Sequence, residues 1–133
     1  MRDEPTGEQL LDIARTMLRE ELLSALPTEK KHAALMIANA ISIATRQLRN
    51  GEEGERREAE ALSGLLGRSG QGEATGGADL RAQLRELNRE FSRAIRAGRA
   101  DSGAWREAAG QHLSRVTRTK VMESNPKYLG AQG

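Results

Sequence analysis

Residues 33–44 are the segment that most limits what this chain can fold into. Asn39 and Ser42 are the only polar residues in it, so a helix formed here is apolar on nearly every side. Such a helix must be covered by other helices or by a second subunit. We therefore predict that this helix is the central element of the fold and that the protein is a homodimer.

The remainder of the chain also shows helical patterns. The central helix has a candidate N-cap at Thr28 and a typical end at Asn50-Gly51. Apolar residues recur every three or four positions in four further segments, which are bounded by capping residues, glycine or proline. These segments are residues 7–25, 52–66, 79–98 and 101–125. The sequence therefore predicts an all-α fold, a bundle of four to five helices.

The length of 133 residues leaves room for one domain, residues 1–133. One stretch interrupts the helical pattern, because residues 68–78 contain four glycines and no large apolar side chain. Such a stretch cannot offset the entropy lost on ordering by burying apolar surface. We predict a single helical domain with a mobile glycine-rich loop at 68–78.

The sequence contains no recognisable catalytic or metal-binding pattern. Glu29 and His32 have the Glu-x-x-His spacing of di-metal helical bundles, but such sites need a second copy of the motif and two further carboxylates. The other histidine, His112, lies on the predicted buried stripe of the last helix, where we expect a hydrogen-bonded structural role. We predict a non-catalytic protein that binds no metal and no cofactor.

The composition also bears on the compartment. There is no cysteine, which excludes disulfides and thiolate chemistry and is compatible with a reducing environment. The start of the chain lacks the apolar core of a signal peptide, and the longest apolar stretch is too short to span a bilayer. We expect a cytoplasmic protein with no membrane partner.

Arginines form a stripe on the predicted helix 79–98. Arg81, Arg85, Arg89 and Arg93 recur at steps of four, beside a separate apolar stripe. The functional interpretation is a surface for an anionic partner or ligand. The structural interpretation is a solvated face that pairs with neighbouring helices. Nucleic acid is not expected, because the chain has few aromatic residues for stacking and no known reader motif.

Two further residues are expected to have structural roles. Asn39 interrupts the apolar helix, and if buried it must find hydrogen-bond partners or cost about 1–3 kcal/mol. We expect it to fix the register of this helix against its neighbours. Tyr128 belongs to a short apolar tail behind Asn125-Pro126, where proline ends the last helix. We expect Tyr128 to be structural as well.

The central helix and the tail also carry a family resemblance. Ala-Asn-Ala at 38–40, within residues 32–40, and Asn-Pro-Lys-Tyr-Leu at 125–129 resemble motifs of a family of short bacterial proteins of unknown function. The likeness extends to Pro5-Thr6, Leu10-Leu11, residues 46–48 and residues 79–98. The chain has Leu35 and Met36 in a stretch where members of that family tend to have an arginine.

Members of that family are typically encoded beside aminoglycoside-phosphotransferase-like kinases and acyl-CoA dehydrogenases. The resemblance implies an accessory subunit in that metabolic setting and assigns no catalytic residue. We therefore expect a non-catalytic interaction subunit that works with a phosphotransferase-like enzyme. A binder of an anionic or acyl-CoA-type small ligand is the alternative, and a nucleic-acid binder is a more distant one.

Overall fold

The computed structural model describes residues 4–68 and 77–130. Within these ranges there are five α-helices, and no β-strand is present. The helices are α1 (Gly7–Met17), α2 (Thr28–Asn50), α3 (Glu53–Leu66), α4 (Gly77–Arg96) and α5 (Gly103–Ser124). The prediction of an all-α bundle of four to five helices is confirmed. None of the described helices is both long and apolar enough to cross a membrane.

The helices divide into two compact units. Unit 1 is Met1–Gly51 and contains α1 and α2, and unit 2 is Glu52–Gly133 and contains α3, α4 and α5. At the boundary Gly51 ends α2 with φ of 59° and ψ of −154°, a conformation that favours glycine because it has no Cβ. The single domain predicted over residues 1–133 stays a prediction.

The first helix begins with a capping box formed by Thr6 and Gln9. The Thr6 N–H donates to Gln9 Oε1 at 2.7 Å, and the Gln9 N–H donates to Thr6 Oγ1 at 3.3 Å. These bonds satisfy donors that the first helical turn leaves without partners. After α1 the chain continues as a π-helical turn, Leu18–Leu22, so the regular helix is shorter than the predicted 7–25.

The two helices of unit 1 meet through small side chains. The only buried residues of α2 are Ala34, Ala38 and Thr45, and α1 has none. Alanines at this contact let the two helices approach closely, but they remove little apolar surface from water compared with leucine or isoleucine. Among the described residues of unit 1 no large apolar side chain is fully buried, although several leucines and isoleucines are half-buried.

Asn39, which we expect to fix the register of α2, is exposed, while Ala38 beside it is 1% exposed. Successive helical residues point about 100° apart, so a helix whose Ala38 faces α1 turns Asn39 away from that contact. The register role of Asn39 stays a prediction.

Unit 2 contains a conventional core. Apolar residues from all three of its helices are buried in one cluster, made of Ala59, Leu62, Leu80, Leu84, Leu87, Phe91 and Ala109. The α4 members follow the predicted stripe at steps of four, three and four. Ile95 lies four residues after Phe91 on the same stripe, and it is partly buried against the same cluster. The stripe prediction is confirmed, and it orients α4 with its arginines away from the core.

Trp105 closes one end of this core. Its Nε1–H donates to the Leu65 carbonyl oxygen at 3.0 Å, and its ring centroid lies 5.7 Å from that of Phe91. The Arg99 guanidinium carbon lies 4.9 Å from the centroid of the Trp105 ring, within the range of a cation–π interaction. Trp105 is the only tryptophan, so its fluorescence reports on unit 2 alone.

Most of the loop predicted to be mobile at 68–78 lies outside the described residues. Of its ends, Arg68 pairs with Glu90 of α4, and Gly77 and Ala78 already belong to α4. The helix thus begins two residues before the predicted start at residue 79. The mobility of the loop stays a prediction.

Candidate functional site

Large apolar side chains are exposed mainly on unit 1. We call this set the outer apolar surface; it consists of Leu10, Ile13, Met17, Leu22, Leu35, Met36, Ile37 and Leu48. Their exposed fractions run from 41% for Leu35 to 58% for Leu48. Scattered exposed apolar residues are ordinary on proteins, whereas a concentration of them marks an interaction site. The outer apolar surface is the first candidate site.

The α2 part of this surface has the spacing of a helix-packing seam. Ala33, Ile37, Ala40, Ala44 and Leu48 follow one another at steps of four, three, four and four. Such a series keeps to one side of a helix. None of these five residues is buried in the single chain. The seam therefore combines two large and three small apolar side chains, and it lies on a different side of α2 from the buried residues Ala34, Ala38 and Thr45.

A polar cavity of about 190 Å³ lies between α1 and α2. Its lining is dominated by basic side chains and consists of Asp12, Arg15, Ser42, Thr45, Arg46 and Arg49. The Arg15 Nε–H is buried and has no hydrogen-bond partner among the described residues. This cavity is the second candidate site, because a buried guanidinium N–H without an acceptor is rare in proteins.

One of the three cavity arginines is held by carboxylates. Arg49 Nη2 donates to Asp12 Oδ2 at 2.8 Å, and Arg49 Nε donates to Glu8. The hydrogen bond with Glu8 is the main cause of a pKa for Arg49 above its already high ordinary value, and the attraction of both carboxylates adds to it. Arg49 is therefore charged at every physiological pH, and its side chain is fixed across the α1–α2 contact.

The predicted arginine stripe lies on the outside of α4. Arg81, Arg85, Arg89 and Arg93 are all exposed. Arg81 Nε lies 3.8 Å from Glu55 Oε1, and Arg89 Nη1 lies 3.4 Å from Glu86 Oε2. Both ion pairs are exposed to solvent. Among the described residues Arg85 and Arg93 make no ion pair. The stripe is thus a partly neutralised basic surface, as both of our interpretations allow.

His112 is buried in the core of unit 2. Its residue is 4% exposed, and its ring packs edge-on to Phe91 with the centroids 5.4 Å apart. The Nδ1 atom has no hydrogen-bond partner among the described residues, so the expected hydrogen-bonded role is not found at this atom. Burial lowers the pKa of His112 below its ordinary value of 6.5, although nearby Glu58 opposes the shift.

This lowered pKa makes the stability of unit 2 depend on pH. Well above pH 6.5 the imidazole is neutral in both the folded and the unfolded protein. As the pH falls below 6.5, the unfolded protein takes up a proton before the folded one does, which favours unfolding. We expect the free energy of unfolding to fall as the pH drops below 6.5, and His112→Leu to reduce that fall. Urea unfolding followed by Trp105 fluorescence measures it. Equal losses in both proteins would assign the effect to other groups.

The other predicted residues do not come together as a site. Glu29 and His32 are exposed, and no group of three or more His, Asp or Glu side chains in the described chain could hold a metal ion. Tyr128 lies in a 3-10 turn, Pro126–Leu129, and is 78% exposed. Its expected structural role is therefore not supported by packing within the single chain.

The cavity was missed by the sequence analysis. Ser42, Arg46 and Arg49 share one side of α2 through their spacing, and this pattern is visible in the sequence. Nothing in the sequence shows that Asp12 and Arg15 of α1 face the same side. The arginine series on α4 stood out because it is longer, although its side chains enclose no space of their own.

Comparison with known proteins agrees with the resemblance of the central helix and the tail to an uncharacterised family. No curated protein and no solved structure matches the chain. The matching family model spans α2 to α5 and ends at Tyr128, so α1 lies outside it. The match covers residues 24–128, and the chain belongs to the family described as a domain of unknown function (DUF6285).

Proposed function

We propose that this chain is a cytoplasmic, non-catalytic interaction subunit that pairs with a second copy through the outer apolar surface. The observation that supports it is the packing of unit 1, whose fully buried residues are two alanines and a threonine while eight of its large apolar residues are exposed. Two helices joined in a hairpin bury too little apolar surface to be stable alone. A second hairpin would complete a four-helix bundle.

A second copy fits this surface better than a partner of strong charge. Unit 1 contains seven basic and seven acidic side chains, so two copies do not repel each other through net charge. In a two-fold pair each contact occurs twice: if residue i of the first copy meets residue j of the second, residue j of the first copy meets residue i of the second. With α2 helices antiparallel, Ile37 of one copy would lie near Leu48 of the other, with the small Ala40 and Ala44 between them.

The seam gives Asn39 no contact with the second copy. Asn39 is exposed, but its side chain points about 100° away from that of the seam residue Ala40. Its role in fixing the register of α2 stays a prediction from the sequence.

Light scattering at micromolar concentration tests the pairing. We expect a mass of about twice the chain mass of 14.5 kDa. A mass of one chain at all concentrations would reject the proposal.

The arginine stripe is the surface that we assign to a different, acidic protein partner. Its four exposed arginines lie on α4 of unit 2, whereas the outer apolar surface belongs to unit 1, so the two proposed contacts use different residues. The family resemblance suggests a phosphotransferase-like enzyme of a bacterial metabolic setting as that partner. Binding of an acyl-CoA-type ligand here has less support, because exposed side chains along a single helix do not form a pocket.

Charge reversal on the stripe tests this assignment. Arg85→Glu together with Arg89→Glu should leave the fold intact, because exposed ion pairs contribute only about 0–1 kcal/mol. Capture of a phosphotransferase-like protein should be weakened, mainly through a slower association rate. Surface plasmon resonance at two salt concentrations measures the rate.

A matched control for this variant is Arg106→Glu with Arg118→Glu, which reverses two exposed charges on α5 instead. We expect no binding to duplex DNA at physiological salt by any of these proteins. Sequence-independent DNA binding that only the stripe variant loses would replace the protein partner with nucleic acid, since such binding depends on phosphate contacts by arginine.

A further inference from the structure

We propose that the cavity between α1 and α2 binds a small oxyanion of the phosphate class, either inorganic phosphate or the phosphoryl group of a small molecule. The site belongs to unit 1 alone, since all six lining residues lie in α1 and α2. It is distinct from the arginine stripe, and it does not depend on the proposed dimer.

The donors of the cavity are guanidinium groups. Ser42 Oγ donates to the Ala38 carbonyl at 3.0 Å, and Thr45 Oγ1 donates to the Ile41 carbonyl at 2.9 Å. Both hydroxyl protons are therefore engaged by the helix backbone and cannot be offered to a ligand. A ligand in this cavity must be an acceptor that suits arginine, and planar guanidinium groups bind phosphate and carboxylate oxygens through paired hydrogen bonds.

Arg15 provides the most direct sign of a ligand. Its Nε–H is buried and has no acceptor among the described residues, although Asp12 lies one helical turn away on α1. The Asp12 carboxylate instead accepts from Arg49. Buried donors nearly always have a partner in native proteins. An anion in the cavity would supply the missing acceptor.

Charge and size decide the class of anion. The six lining residues carry three positive charges and one negative charge, and with Glu8, which binds Arg49, the local net charge is +1, which favours an anion. A volume of about 190 Å³ is below that of pockets for drug-sized ligands, which begin at about 300 Å³. The cavity therefore holds one phosphoryl group, with any larger part of the ligand outside.

Nuclear magnetic resonance of the arginine Nε–H signals tests the site. Inorganic phosphate, titrated at constant ionic strength with chloride as the balancing anion, should shift the Arg15 signal in a saturable manner. Arg15→Gln should weaken phosphate binding by at least about ten-fold, measured by calorimetry, because it removes a charged hydrogen bond. The matched control is Arg19→Gln, which changes an exposed arginine one turn further along the chain outside the cavity.

The outcomes separate the sources of the phosphoryl group. Tighter binding of glycerol phosphate than of inorganic phosphate identifies an organic phosphate as the ligand, and the reverse identifies the free ion. An Arg15 signal that phosphate does not shift would overturn the proposal, as would equal weakening by the Arg19 control. If Arg15→Gln does not fold by circular dichroism, the titration of the wild-type signal decides alone.

Discussion

Ile37→Glu is expected to convert the protein from a dimer into a monomer and to unfold much of unit 1. Ile37 is 55% exposed in the single chain and is one of the two large residues of the α2 seam. In the proposed pair its side chain would be buried, so a glutamate there places an unpaired charge in an apolar contact. A cost of at least about 3 kcal/mol would weaken association more than a hundred-fold.

Light scattering and circular dichroism measure the two parts of this result. The mass should fall from about two chains to one, and helical signal should be lost because the α1–α2 contact buries only small side chains. Trp105 fluorescence should stay native, since its surroundings lie in unit 2. The matched control is Leu113→Glu, the same kind of change at a 48% exposed residue of α5.

Two results would contradict this account. A dimer that survives Ile37→Glu would place the contact elsewhere, and dissociation by Leu113→Glu would move it to unit 2. A wild-type monomer with a fully folded α1–α2 hairpin would show that the outer apolar surface is covered by another part of the protein or by a different partner.

Phe91→Ala is expected to destabilise unit 2 by about 3–5 kcal/mol. Phe91 is 3% exposed and touches the rings of both Trp105 and His112. Removing the ring takes away its burial and leaves a cavity that three helices cannot close without moving. Native domains are stable by only about 5–15 kcal/mol, so this one change removes a large share of the total.

Urea unfolding followed by Trp105 fluorescence measures the effect. The matched control is Leu113→Ala, because Leu113 is 48% exposed on α5 and its truncation should change stability by only about 0.5 kcal/mol or less. The dimer mass should be unchanged while unit 2 stays folded, since the proposed contact belongs to unit 1. A loss of less than about 1 kcal/mol for Phe91→Ala would show that the core is not packed as described.

The sequence by itself determined the helices. It also determined which side of a helix is buried, wherever large apolar residues recur every three or four positions among polar ones. The capping box of Thr6 and Gln9 marked the start of α1, and Leu80, Leu84, Leu87 and Phe91 marked the buried side of α4. These features depend on residues three or four positions apart, which a helix always brings together. The exposure of the four α4 arginines followed from the same periodicity.

Only the tertiary structure decided which sides of the helices meet. In α2 nearly every side is apolar, so periodicity could not show that alanines face α1 and that Ile37, Leu48 and Asn39 face outward. The cavity around Arg15 and Arg46 was hidden for the same reason, because it joins side chains from two helices. Local spacing fixes neighbours within one helix, whereas contacts between helices depend on their relative rotation, which a single sequence does not record.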